Sequence, residues 1–280
     1  MIDKSKVLVT GGRGMMGSRI PFGIKLDRDD LDIRREDSVN AAFAKHEPQL
    51  VIHLAALKDK AYCQAHPADA YNVNVLGTLN VAKACRSRDI PLIFASSYYV
   101  FDCNARAPYR ENDLAHPINV YGKTKFAGEL IVEDLVKRHA IVRLGLVYGE
   151  GIEDSFINVV AKRIAKGESI AERDDRKFSL TSIRGFLDGI SLVIEDGLHG
   201  LFHLAESGGP SYYETATFIK EQLNPAATVT VITPGPDDAA APPRGGGFGV
   251  LMPSAVFSPR SWQAALSDYL LSLKTKTAGQ

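Results

Sequence analysis

Tyr121 and Lys125, four residues apart in the segment NVYGKTKFAGE, are the side chains here best suited to moving a proton. The segment has helical period, so both lie on one helix face and can act together. Reducing a ketone needs a hydride on carbon and a proton on the developing alkoxide. A phenol can supply that proton if its pKa, ordinarily about 10, is lowered. An adjacent ammonium favours phenolate and lowers it. Ser97, just past the apolar run PLIFA, could hydrogen-bond the substrate oxygen and hold it for transfer. A Tyr-x-x-x-Lys pair alone is common, and an exposed pair on a helix is its ordinary meaning; its order after a glycine loop and a serine is what carries weight.

That glycine loop is TGGRGMMG, with Gly11, Gly12, Gly14 and Gly17 following the strand-like KVLVT. Such a loop, opening a helix, brings backbone amides of residues such as Arg13, Met15 and Met16 to a pyrophosphate at the helix N-terminus. Few residues separate Thr10 from Gly23, and Pro21 ends any helix early, so the first helix is expected to have two turns or fewer. At the end of the next strand, an acidic residue hydrogen-bonds the ribose of NAD, whereas an arginine accommodates the 2′-phosphate of NADP. The chain supplies Asp27 and Arg28 there, with Arg13 in the loop, and the balance tips to NADPH over NADH.

The elements that must position these residues read as a doubly wound α/β parallel sheet. Apolar runs at 6–10, 50–54, 91–95 and 140–144 look like buried parallel strands, alternating with amphipathic stretches at 37–45, 68–88 and 121–137. Helical patterns follow at 156–166 and 183–196, then a strand-like 200–203. A dinucleotide-binding domain over 1–150, to which 177–203 returns, and a smaller substrate lobe over 151–280 are expected. Ser211 with Glu214 three residues on is a capping box. Residues 234–249, rich in Pro, Gly and Ala, read as a long loop, and 262–273 as a final helix.

Composition narrows the partners. The 280 residues carry 33 basic and 33 acidic side chains, so no net field recruits nucleic acid or an anionic membrane. Cys63, Cys85 and Cys103 form no C-x-x-C pair, which fits free thiols in a reducing compartment and suggests no metal site. The first residues hold no apolar signal segment and no run is long enough to span a bilayer, so a cytoplasmic location is expected.

Across most of its length the chain resembles the extended short-chain dehydrogenase/reductases, and among them the dTDP-4-dehydrorhamnose reductases and related sugar-nucleotide reductases. The resemblance is carried by TGGRGMMG, LDI at 31–33, VIHLAAL at 51–57, NVNVLGT at 72–78, SSYYVFD at 96–102, PYRENDLAHPINVYGKTKFAGE and VRLGLVYG at 142–149. It implies a Rossmann fold and catalytic roles for Ser97, Tyr121 and Lys125. It further implies that Asp32 and Ile33 border the adenine, that Leu54, Ala55, Ala56 and Lys58 line the ribose and pyrophosphate channel, and that Asn74 steadies the sheet. Tyr98, Tyr99, Arg184 and Arg244 would meet the nucleotide-sugar substrate, a 4-keto-6-deoxy hexose or heptose linked to dTDP, GDP or CDP. Helices 68–88 and 121–137 would be candidates for a homodimer face. Two positions depart from the pattern of rhamnose reductases. An acidic residue becomes Tyr98, and a tryptophan becomes Leu146. Tyr98 and Tyr99 also stand where a 4,6-dehydratase needs its acid/base pair, and Cys103 and His116 do not match an epimerase-reductase. A C4 epimerase and a non-catalytic subunit like the methionine adenosyltransferase beta subunit stay open.

Overall fold

The computed structural model describes residues 2–232 and 247–277. In chain order the strands and helices are β1 Val7–Thr10, β2 Ile24–Leu26, α1 Glu36–His46, β3 Leu50–His53, α2 Lys60–Ala65, α3 Pro67–Tyr71, α4 Gly77–Ser87, β4 Leu92–Ser97, α5 Val120–Leu135 and β5 His139–Leu144. There follow β6 Leu146–Tyr148, α6 Phe156–Ala165, β7 Ile170–Arg173, β8 Lys177–Phe178, β9 Leu180–Ser182, α7 Ile183–Glu195, β10 Gly200–Leu204, α8 Tyr212–Leu223, β11 Val229–Ile232, β12 Phe248–Gly249 and α9 Trp262–Thr277. The chain forms two compact units, one of residues 1–102, 114–143 and 187–202, the other of 103–113, 144–186 and 203–280.

The first unit is built on a parallel sheet of six strands in the order β10-β5-β4-β3-β1-β2. Every residue of β1, β3 and β4 is buried, which is why these strands read as unbroken apolar runs rather than alternating ones. The order reverses between β1 and β3, so the connections leave β1 in opposite directions and open a crevice at the strands' carboxyl ends. Gly11 and the 54–57 segment stand there.

Three helical devices aim residues at that edge. Helix α1 has Glu36 and Asp37 in its first turn and Lys45 and His46 in its last, complementing its macrodipole, while Val39, Ala42 and Phe43 bury one face. The expected helix over 68–88 is one continuous run, but α3 and α4 are joined by a π turn, Asn72–Leu76, that aims Asn74 inward. Helix α5 starts at Asn119, whose Oδ1 accepts the Gly122 N–H at 2.8 Å. A Cβ at Gly122 would stand 2.1 Å from the Tyr99 carbonyl oxygen, so glycine is what lets the start of α5 close on the turn after β4.

The second unit has parallel two-stranded pairs, β6 with β9, β7 with β11 and β8 with β12, and the packed helices α6, α8 and α9. The capping box is present: Ser211 Oγ accepts the Glu214 N–H at 3.0 Å and Glu214 Oε2 accepts the Ser211 N–H at 2.7 Å. Ser211→Ala is expected to destabilise the protein by about 1–2 kcal/mol, read as a lowered urea midpoint. An unmoved midpoint would show that α8 needs no cap.

Candidate active site

Ser97 ends β4, and its Oγ accepts the Tyr99 N–H at 3.3 Å. The same hydroxyl lies beside the Tyr121 phenol. Tyr121 is half-buried on the first turn of α5, with its ring edge-on to Tyr99 at 6.1 Å between centroids. One turn further, Lys125 is 4% exposed and its Nζ stands 4.1 Å from the centre of the Phe94 ring. The sequence therefore brings together a hydroxyl, a phenol and an amine at the carboxyl edge of the sheet.

Their protonation differs from the expectation that the lysine lowers the tyrosine. Burial pushes the Tyr121 phenol up to about 12, against the opposing pull of the Ser97 hydroxyl. Burial also drives Lys125 down to about 7, with Glu129 opposing. A charge held in an apolar setting is disfavoured whichever its sign, so desolvation decides the direction of both shifts. At neutral pH Tyr121 is a protonated phenol, the form that donates.

A buried hydrogen-bonded chain runs from the glycine loop's strand to α5, and its proton directions can be worked out. Thr10 Oγ1 accepts the N–H groups of Leu54 and Ala55, each at 3.2 Å, so its own proton goes to His53 Nδ1 at 2.7 Å. His53 then carries its proton on Nε2 and donates to Thr78 Oγ1 at 3.0 Å, and Thr78 donates to the Asn74 carbonyl at 2.7 Å. Burial holds His53 down at about 3, so the imidazole stays neutral as this chain requires. The Asn74 side chain accepts the Leu57 N–H at 2.7 Å and donates to Leu57 O and Thr124 Oγ1 at 3.0 and 2.9 Å. Thr124 closes on the Tyr121 carbonyl at 2.8 Å.

The glycine loop departs from its expected form: instead of an α-helix, only the three-residue 3₁₀ turn Gly17–Arg19 follows it. With Pro21 close behind, no longer helix fits before β2. Gly11 has φ +67°, and a Cβ there would stand 2.9 Å from the Ala55 nitrogen, so the loop presses on the 54–57 segment. Among the described residues the amides of Arg13, Met15 and Met16 donate to no acceptor, and Arg13 and Gly14 are exposed. A pyrophosphate would therefore be held by loop amides, as in an anion nest, rather than by a helix dipole. On these grounds the residues present fit a dinucleotide.

Around the ribose end, Asp27 Oδ2 lies 3.5 Å from Arg13 Nε, while Asp29 and Asp30 each lie 3.3 Å from Arg13 NH2. Arg28 is exposed. Asp32 is gripped by Arg34 at 2.8 and 2.6 Å, and that guanidinium holds its carboxyl down at about 2. Ile33 is 5% exposed and packed against Gly77, so its side chain belongs to the core rather than to an open adenine wall. Leu54, Ala55 and Ala56 are half-buried, and Lys58 Nζ reaches Met15 Sδ at 3.6 Å. Tyr98, expected to face substrate, is 6% exposed, its ring tilted against that of Tyr99 at 4.3 Å between centroids; of the two tyrosines, Tyr99 keeps the larger surface, with Lys60 Nζ over its ring at 5.0 Å.

In the second unit Arg184 is exposed near the start of α7, and Leu146 is half-buried in β6. Arg244, and with it residues 234–246 of the expected loop, lies outside the described residues. Cys103 is buried, and His116, an exposed loop residue, lies 3.8 Å from Asp102. Sequence reasoning missed Glu129 and Arg143, which pair in the core at 2.7 Å. The spacing Tyr121, Lys125, Glu129 could have pointed to the first of them. No described helix is long and apolar enough to cross a membrane.

The RmlD substrate binding domain model matches residues 5–275. The chain is 33% identical over 219 residues to the dTDP-4-keto-6-deoxy-D-glucose reductase of Streptomyces niveus, covering 75% of each. It is 27% identical over 269 residues to the methionine adenosyltransferase 2 subunit beta of Bos taurus, covering 87% of this chain and 80% of that one. The structure of a dTDP-4-dehydrorhamnose reductase from Clostridium acetobutylicum superimposes with a TM-score of 0.88 at 28% identity, over 96% of this chain and 99% of that one. By a match over nearly its whole length, the protein belongs to the RmlD substrate binding domain family, as an oxidoreductase of the Rossmann type.

Proposed function

We propose that the protein reduces the 4-keto group of a nucleotide-linked 4-keto-6-deoxy sugar, with Tyr121 as proton donor, in the biosynthesis of a surface polysaccharide. The observation that carries this reading is the grouping of Ser97, Tyr121 and Lys125 at the carboxyl edge of the sheet, with the phenol protonated at neutral pH. When bound, the reduced nicotinamide supplies the hydride. Ser97 holds the carbonyl oxygen, Tyr121 gives its proton to the forming alkoxide, and the Lys125 ammonium stabilises the phenolate left behind. The dTDP-linked sugars lead the candidates because the relatives' names carry them. Arg184, and Arg244 beyond the described residues, are proposed to hold the diphosphate by their forked donors. The substrate and cofactor pools of such a reaction fit the expected cytoplasmic location.

The test is NAD(P)H oxidation with enzymatically made dTDP-, GDP- and CDP-4-keto-6-deoxy sugars. No turnover with any of them, in a folded sample, would leave the regulatory-subunit reading, which the methionine adenosyltransferase relative supports.

The cofactor balance shifts once Arg13 is seen among three carboxylates. A 2′-phosphate added beside Asp27, Asp29 and Asp30 meets repulsion that the two ribose hydroxyls of NAD do not. NADH is expected to bind roughly tenfold tighter than NADPH, a difference of about 1.4 kcal/mol, with Asp27→Asn narrowing the gap. Fluorescence titration giving equal or reversed affinities would defeat this preference.

A further inference from the structure

Glu129 and Arg143 form an ion pair with each side chain 4% exposed. Arg143 Nε and NH2 donate to the two carboxylate oxygens at 2.9 and 2.7 Å, and Ser96 Oγ donates to Oε1 at 2.5 Å. The guanidinium carbon also lies 4.9 Å from the centre of the Phe101 ring. These contacts tie together β4, α5, β5 and the turn after β4. Two of the tied residues are neighbours of the reactive trio, since Ser96 precedes Ser97 and Glu129 lies one helical turn beyond Lys125.

Stability alone gives little reason to keep such a cluster. Desolvating two charges offsets much of their attraction, and well-packed apolar side chains of similar volume often do as well or better. A specific role in holding register accounts for it. We propose that Glu129 is a positioning residue of the reduction: clamped by Arg143 and Ser96, it fixes the end of β4 against α5 so that Ser97 stays aligned with Tyr121, and it sets a carboxylate one helical turn from Lys125.

The surroundings of Lys125 make Glu129 the anion that matters. His53 faces it from β3 and is neutral, Phe94 faces it from β4 as an uncharged ring, and Tyr121 on its own helix is a protonated phenol. Arg143 on β5 is a cation already engaged by Glu129. Burial lowers Lys125 to about 7 and Glu129 is the group that raises it. Removing the carboxylate charge takes away the one group that raises Lys125 and leaves burial to favour the neutral amine.

This proposal rests on the reductase reading, so its test has a readout independent of turnover. In Glu129→Gln, Lys125 is expected to titrate about one pH unit lower, followed by NMR of ¹³Cε-labelled lysine in the cofactor-free protein. The kcat at pH 8 is expected to fall about tenfold, returning to within about twofold of the parent near pH 6, with KM for the sugar nucleotide unchanged. Glu129→Asp restores the midpoint. A Lys125 midpoint that does not move in folded Glu129→Gln, or a rate loss equal at every pH, overturns the proposal. Ser96→Ala, made alongside, keeps the ion pair and removes one tie. It is then expected to lower kcat about threefold with the Lys125 midpoint in place, and an unchanged kcat overturns the alignment role. Absence of turnover in the parent protein defeats the reductase reading, while the NMR midpoint still decides what Glu129 does to Lys125.

Discussion

Replacing Tyr121 by phenylalanine is expected to lower kcat by about 10²–10⁴-fold while leaving dinucleotide affinity within about twofold of the parent. The ring, its edge contact with Tyr99 and the helix geometry all survive the change; only the phenolic O–H is lost. Burial raises this phenol to about 12, so the proton is in place throughout the neutral range. Activity lost on raising the pH past neutrality therefore belongs to Lys125, which burial brings down to about 7 and which loses its positive charge as pH rises through that value. A kcat for Tyr121→Phe within tenfold of the parent would mean that another group or water protonates the alkoxide. The proton-donor role would then be abandoned, while the pH limb assigned to Lys125 would stand or fall separately.

How far this site could be read from the sequence depends on which interactions are local. The strands β1, β3, β4 and β5 were legible because central parallel strands are buried on both faces and read as apolar runs. The face shared by Tyr121 and Lys125 follows from helical spacing, and the Ser211–Glu214 cap from a three-residue interval. Protonation was not legible, because Tyr121 and Lys125 owe their shifts mainly to desolvation by residues distant in sequence. Nor was the Glu129–Arg143 pair, which joins a helix to the following strand across 14 positions. The missing helix after the glycine loop was half visible: Pro21 announced a short crossover, yet not that a single 3₁₀ turn would suffice. In the second unit the strands β6 to β9 have two to four residues each, too few for any period to appear.

Glu206, in that second unit, is expected to make the protein less stable as pH rises. Its side chain is buried, Oε1 accepts the Ser182 N–H at 2.8 Å and faces the Tyr148 hydroxyl at 3.4 Å, and Oε2 is buried without a hydrogen-bond partner. Burial pushes its carboxyl up to about 6 from the usual 4.5, although Ser182, Tyr148 and Arg260 all favour the anion. A carboxyl raised on folding is bound to its proton more tightly in the native state than in the unfolded one. Its penalty is absent below the unfolded value, grows between pH 4.5 and 6, and is complete above that window, at about 2 kcal/mol. Glu206→Gln keeps an acceptor for Ser182 and Tyr148 and removes the ionisation. The substituted protein should therefore melt a few degrees higher than the parent at pH 8, with the gap closing by pH 4.5. Melting curves that differ by the same amount at both pH values would show that Glu206 ionises freely in the folded protein, and that a counter-charge or water reaches the bare Oε2.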